Sequence, residues 1–182
     1  MKIFMISLWM MISANLGAKT MTKEIAILAG GCFWGMEDIL RSIPGVMNTT
    51  VGYTGGQIEN PTYAIVKLGQ SNHAEAVEVE FDPTKISYAE LLNYFFRMHD
   101  PTTLNRQMND IGTQYRSAIF YHTEEQHQAA VEAIKKQNSS GKWKNPVVTQ
   151  LIKASKFYPA EDYHQDYLKK NPNGYTCHWL RD

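Results

Sequence analysis

Residues 24–45 read EIAILAGGCFWGMEDILRSIPG, and the rest of the chain is best read outward from them. Glu24–Ala29 is a short apolar run ending in Gly30-Gly31, the pattern of a buried strand that enters a tight loop. Beyond Phe33, the apolar residues Met36, Ile39, Leu40 and Ile43 recur at helical spacing, and Pro44-Gly45 stops the helix. A strand, a glycine loop and a helix follow one another, with Cys32 at the point where the helix begins.

The same alternation continues downstream. Val46–Tyr53 is rich in Val, Thr and Tyr and closes at Gly55-Gly56, a second strand. In Ala74–Phe81, Val77, Val79 and Phe81 point one way while Glu78 and Glu80 point the other. Ser87 with Glu90 forms a capping box, opening a helix whose apolar face is Tyr88, Leu91, Leu92, Phe95 and Phe96. Gln114–Tyr121 reads as a strand. Thr123 with Gln126 starts a helix that packs through Ala130, Val131 and Ile134 and ends around Asn138–Gly141. Val147–Ile152 predicts another strand and Ala160–Lys170 a last helix. Asn171-Pro172-Asn173-Gly174 then breaks into a tail, expected to be mobile, that carries Cys177. Short strands with partly alternating faces favour an α+β fold, a two-layer sandwich, over a doubly wound sheet, because one face of the sheet can then meet water; a mixed sheet of ferredoxin-like (split β-α-β) type is the expected form, although the patterns do not derive it. The patterns do not fix the strand order.

Composition narrows the function. Eighteen basic residues balance eighteen acidic ones, so the basic excess that phosphate binding demands is missing and nucleic acid is set aside as a partner. Residues 21–182 suffice for one domain with its own core. Residues 1–20 read differently: Lys2, the apolar run Ile3–Ile12 and small residues up to Ala18 resemble an export signal, too short to span a bilayer. A periplasmic or secreted location follows, with a cytoplasmic start at Met21 as the alternative.

Two cysteines, Cys32 and Cys177, are too few for a disulfide scaffold and lack Cys-x-x-Cys spacing. A structural bridge or two inert buried thiols would account for them. Cys32, however, sits at a helix start, where free N–H groups and the helix dipole favour an anion, so a lowered pKa and more thiolate are expected. Gly35 excludes a thioredoxin-like dithiol and Asp38 excludes a phosphatase Cys-x5-Arg loop. Neither a Walker loop nor a dinucleotide fingerprint is present. Phe33 and Trp34 are either core rings or the walls of a slot for a methyl-bearing group.

Strand parity places Glu75 on the inward side with Val77, Val79 and Phe81. An inward carboxyl either pairs with a cation or keeps its proton, because desolvation penalises the charged form. Beside a nucleophile, a protonated carboxyl is a general acid. A strand-end glutamate curling out to water is the competing reading. By their position alone Tyr63 and the segment Asp110–Tyr115 say little.

Several ordered stretches together resemble the A class of peptide methionine sulfoxide reductases: GGCFWGMED at 30–38, PGV at 44–46, VGYTGG at 51–56, PTY at 61–63, HAEAVEVEFDP at 73–83, DIGTQYRSAIFY at 110–121 and AEDYHQDYL at 160–168. The resemblance spans nearly all of residues 24–177. It implies reduction of the S epimer of free and protein-bound methionine sulfoxide, a protein-repair activity, with no bound cofactor or metal. Cys32 would be the nucleophile, Glu75 the acid that protonates the departing oxygen, and Phe33 and Trp34 the methyl pocket. Tyr63 and Tyr115 would donate hydroxyl hydrogen bonds to the sulfoxide oxygen and Asp110 would make a polar substrate contact. Tyr163, His164 and Tyr167 would support them. Cys32 would be left as a sulfenic acid that condenses with Cys177, and thioredoxin would reduce the disulfide. An exported protein would need a membrane-linked or periplasmic thioredoxin-like donor. A monomer is expected. The tail departs from many relatives: it reads Gly-Tyr-Thr-Cys-His-Trp and offers a single resolving thiol.

Two other functions compete. A cysteine hydrolase or acyl transferase would pair Cys32 with His73 as base. A metal-binding module would draw on Cys32, Cys177, His178 and His73, although the adjacent Cys177-His178 is poor geometry for one ion.

Overall fold

The computed structural model describes residues 23–182. The segment 1–20 read as an export signal lies outside the described residues. Among the described residues no helix is long and apolar enough to cross a membrane.

The apolar run β1 (Glu24–Gly30) leads through Gly31 into α1 (Phe33–Arg41) and then β2 (Val46–Thr54). A short helix α2 (Tyr63–Val66) precedes β3 (Ala74–Phe81), which is followed by α3 (Tyr88–Met98). The small strands β4 (Arg106–Gln107) and β5 (Asp110–Ile111) pair with each other, and a 3-10 turn, Thr113–Tyr115, leads into β6 (Ser117–Tyr121). The chain ends with α4 (Glu124–Ser139), β7 (Gln150–Lys153), β8 (Tyr158–Pro159) and the single-turn α5 (Tyr167–Lys170).

The main sheet runs β7-β6-β1-β3-β2-β8. Its central four strands, with α1 and α3 as crossovers, form the expected split β-α-β arrangement: β3 inserts antiparallel between β1 and β2, and β6 pairs antiparallel on the far side of β1. The pair β6–β7 is parallel, so the sheet is mixed. Leu28, Val51, Tyr53, Val77, Val79 and Phe81 on one face meet Phe33, Met36 and Leu40 of α1 and Leu91, Leu92, Phe95 and Phe96 of α3 in one apolar core. Burial of these large side chains stabilises the layer by roughly 1.5–3 kcal/mol each. The capping box forms as read: Glu90 donates its backbone N–H to Ser87, and the Ser87 backbone N–H donates to the Glu90 carboxylate.

The other face is less wet than the sequence implies. Ile27, Ala29, Ala74, Ala76, Ala118 and Phe120 form a second cluster under Ala154 and Phe157, a covering made by loop residues that carry no periodicity to read.

Four segments differ from their expected form, each for a physical reason. Strand β6 begins at Ser117 rather than Gln114, because Gln114 is spent in a turn where its side-chain amide donates to the Lys67 carbonyl. The strand expected from Val147 starts at Gln150, since the Val147 and Val148 N–H groups bond to Asn138 and to the Pro101 carbonyl. Residues 160–166 are not helical. Ala160 donates to the Val51 carbonyl, Gln165 bridges both backbone groups of Val51, and Asp166 is held left-handed (φ 52°) with its N–H on the buried Glu37 carboxyl. Only α5 remains of that predicted helix. Finally, the tail is seated: Arg181 donates to the Arg97 carbonyl at 2.9 Å, the Arg97 side chain donates to the Arg181 carbonyl at 2.6 Å, and Cys177 and His178 are buried.

Candidate active site

Cys32 caps the amino terminus of α1, following Gly31, whose φ of 113° suits glycine. A Cβ at Gly31 would also fall 2.6 Å from the Gln107 side chain. The first free N–H of the helix, on Phe33, donates to the Glu75 carboxyl at 3.2 Å. Glu75 stands directly across from Tyr53 in the β2–β3 ladder and is 2% exposed, so the inward parity holds. Among the described residues it has no cation partner, and burial pushes its pKa up to about 8 against the opposing pull of the Phe33 N–H. The carboxyl therefore keeps its proton at neutral pH.

Cys32 does not behave as a helix-start cysteine was expected to. It is 6% exposed, and burial, reinforced by the charge of Glu75 once that carboxyl has ionised at higher pH, raises its thiol well above the usual range; the Trp34 backbone N–H only partly offsets this. Desolvation outweighs the helix terminus because the terminus offers one hydrogen bond while burial strips most of the water from the thiol.

Around this pair lies a cleft of about 80 Å³, lined by Cys32, Phe33, Trp34, Tyr63, Glu75, Asp110, Tyr115 and Tyr175. All the proposed substrate-contacting residues meet here. The volume is far below the several hundred Å³ of a pocket for a whole metabolite, so it suits the tip of a side chain whose body stays outside. Trp34 stacks on Tyr167 at 3.7 Å between centroids and donates its indole N–H to His164 Nδ1 at 3.0 Å. His164 in turn packs against Tyr63 at 4.6 Å and Phe33 at 5.1 Å. Tyr63 opens α2 with its N–H on the Glu161 carboxylate, which also accepts from Tyr53 Oη. Burial, followed by the Glu75 charge, raises the phenols of Tyr63 and Tyr115, so both retain hydroxyl protons to donate.

Cys177 reaches the same place from the tail. Its Sγ donates to Asp110 Oδ2 at 3.3 Å, which also accepts from Tyr175 Oη at 3.0 Å, and the Cys32 backbone partly offsets the rise that burial gives its thiol. Both thiols are free. Gly35 explains the approach: a Cβ there would strike Thr176 Oγ1 and come within 2.8 Å of His178 Nδ1, so the glycine opens α1 to the tail.

The competing readings lack their geometry. His73 accepts the Gly56 N–H at Nδ1 and holds the Ile58 carbonyl at Nε2, 2.8 Å away, which leaves no nitrogen for a thiol proton. Among the described residues no cluster of three or more His, Cys, Asp or Glu is arranged to hold a metal ion. Reading by residue type missed Glu161, Tyr175 and His178 as parts of the site. Glu161 lies inside a quoted motif, but only the fold reveals that it ties Tyr53 to Tyr63.

The family described as peptide methionine sulfoxide reductase matches residues 24–181. The chain belongs to the peptide methionine sulfoxide reductase family. One relative, peptide methionine sulfoxide reductase MsrA 2 of Rhodopirellula baltica, is 56% identical over 158 residues, covering 87% of this chain and 92% of its own. Among solved structures, Mxr1 of Saccharomyces cerevisiae in reduced form superposes with a TM-score of 0.82 at 37% identity, over 90% of this chain and 98% of that one. Mxr1 in complex with Trx2 superposes at 0.61 with 27% identity, over 94% and 99% of the two chains. The reductase fold in these relatives is the α+β mixed sheet described above.

Proposed function

We propose that this reductase repairs the S epimer of methionine sulfoxide, free or in proteins, with Cys32 as nucleophile, Glu75 as acid and Cys177 as resolving thiol. The observation that carries the reading is a neutral, cation-free carboxyl, Glu75, bonded to the residue that follows a buried thiol in a cleft sized for a methylsulfinyl group.

The substrate methyl group packs against Phe33 and Trp34 while the sulfoxide oxygen takes hydrogen bonds from Tyr63 and Tyr115. Transfer of the Glu75 proton to that oxygen makes the neighbouring sulfur cationic. A positive centre beside Cys32 favours its thiolate, reversing the burial that holds the resting thiol protonated. The Cys32 sulfur then bonds to the substrate sulfur as its own proton passes to the Glu75 carboxylate. The hydroxyl shifts from the substrate sulfur to the Cys32 sulfur while the S–S bond breaks, so methionine departs, Cys32 is left as a sulfenic acid and Glu75 is again neutral. Condensation with Cys177 yields a disulfide and water. Thioredoxin, the class of partner seen with Mxr1, then reduces the disulfide by exchange. The chain acts as a monomer and, by the reading of residues 1–20, outside the cytoplasm, where the donor is a thioredoxin-like protein of that compartment.

The test is direct. Purified protein with dithiothreitol should reduce the S but not the R epimer, and Cys32→Ser should abolish this. Cys177→Ser should still release about one equivalent of methionine per chain, as the balanced first step requires. Equal turnover of both epimers, or activity in Cys32→Ser, refutes the reading.

A further inference from the structure

The tail brings a second chemical group into the site. His178 is buried behind Cys177, and its Nε2 lies 2.9 Å from the Gly30 carbonyl oxygen. A carbonyl only accepts, so Nε2 carries the ring proton, and in a neutral imidazole Nδ1 is then a bare acceptor. That Nδ1 faces Cys177 Sγ at 3.4 Å. Room for the ring comes from two glycines of the GGCFWG stretch: a Cβ at Gly31 would sit 3.2 Å from His178 Cε1, and one at Gly35 would sit 2.8 Å from Nδ1.

Cys177 needs such an acceptor. Burial and the Asp110 carboxylate at 3.3 Å push its thiol up to about 12, so it does not ionise unaided at neutral pH. Asp110 Oδ2 accepts from both the Cys177 thiol and Tyr175 Oη, and its charge opposes a thiolate beside it.

We propose that His178 is the general base of the resolving step, its Nδ1 taking the Cys177 proton as that sulfur attacks the Cys32 sulfenic acid. This rests on the reductase reading above. The Cys32–Cys177 S–S bond forms and the Cys32 S–O bond breaks. The leaving hydroxide takes the electron pair and recovers the proton from the imidazolium, giving one water. The sulfenic sulfur is reduced and the thiol sulfur is oxidised, so no outside oxidant is needed. Burial lowers the free imidazole to about 4, which keeps it neutral and available at pH 7 and makes its charged state short-lived.

The experiment is a single turnover of methionine S-sulfoxide without reductant, comparing wild type with His178→Gln. Methionine release reports the first step. Survival of dimedone-reactive Cys32, followed by mass spectrometry, reports the second. Disulfide formation in the variant should slow about 100-fold or more, as for loss of a general base, while methionine still appears in a burst. A burst followed by disulfide formation at the wild-type rate overturns the proposal. Absence of methionine in the wild type overturns the reductase reading instead. Should the variant fail to fold, the wild-type imidazole tautomer decides: long-range proton–nitrogen spectra placing the proton on Nε2 support the base, and a proton on Nδ1 refutes it.

Discussion

Replacing Glu75 with glutamine tests the central electrostatic claim without touching the nucleophile. In the folded chain the carboxyl is 2% exposed and titrates near about 8, against 4.5 for the free side chain. A carboxyl raised in this way binds its proton more tightly folded than unfolded. Its contribution to stability is therefore fully present below pH 4.5 and is lost as pH rises through 8. At about 1.4 kcal/mol per pKa unit, linkage puts the loss between pH 5 and pH 8.5 at about 4 kcal/mol. Glutamine has no charge to gain and can still accept the Phe33 N–H through its carbonyl oxygen. Urea unfolding of both proteins at the two pH values should show wild type losing about 4 kcal/mol more than Glu75→Gln. The variant should at the same time fail to release methionine, since no proton reaches the sulfoxide oxygen. Parallel pH dependences in the two proteins would refute the argument, because they would mean that the Glu75 proton is not held by burial in this range.

Other outcomes follow from single contacts. Gly35→Ala should evict Thr176 and His178 from the face of α1 while leaving the sheet core intact; methionine release without a Cys32–Cys177 disulfide, read in a non-reducing digest, is the expected signature, and an undisturbed disulfide counts against it. Trp34→Phe removes the donor to Nδ1 of His164, a ring whose Nε2 has no partner among the described residues, and should cost about 1–3 kcal/mol in chemical denaturation. The same change should raise KM for methionine sulfoxide; an unaltered KM would show that the indole does not shape the cleft.

Much of this site could be read from residue order. Period-2 alternation in Ala74–Phe81 turned Glu75 inward, because a strand in a packed sheet admits only one parity. The glycine loop before Phe33 placed Cys32 at a helix start. The ionisation of Cys32 came out opposite to expectation, since the helix terminus is a local property whereas the desolvation that outweighs it comes from side chains distant in sequence. Residues 160–166 failed as a helix for a similar reason: Val51 and Glu37, distant in sequence, take their backbone and side-chain hydrogen bonds.

The sequence by itself determined the alternation of strands and helices, the capping of α3 and the parity that put Glu75 on the side of Val77, Val79 and Phe81, because these depend on periodicity and on turn chemistry carried within a few residues; the strand order of the split β-α-β core came only with the fold. Only the tertiary structure decided that the tail is docked rather than loose, that Cys177 lies against Asp110, and that the Gly30 carbonyl fixes the His178 tautomer. Those contacts join residues 67 to 148 positions apart, and no local pattern encodes which distant groups will pack together.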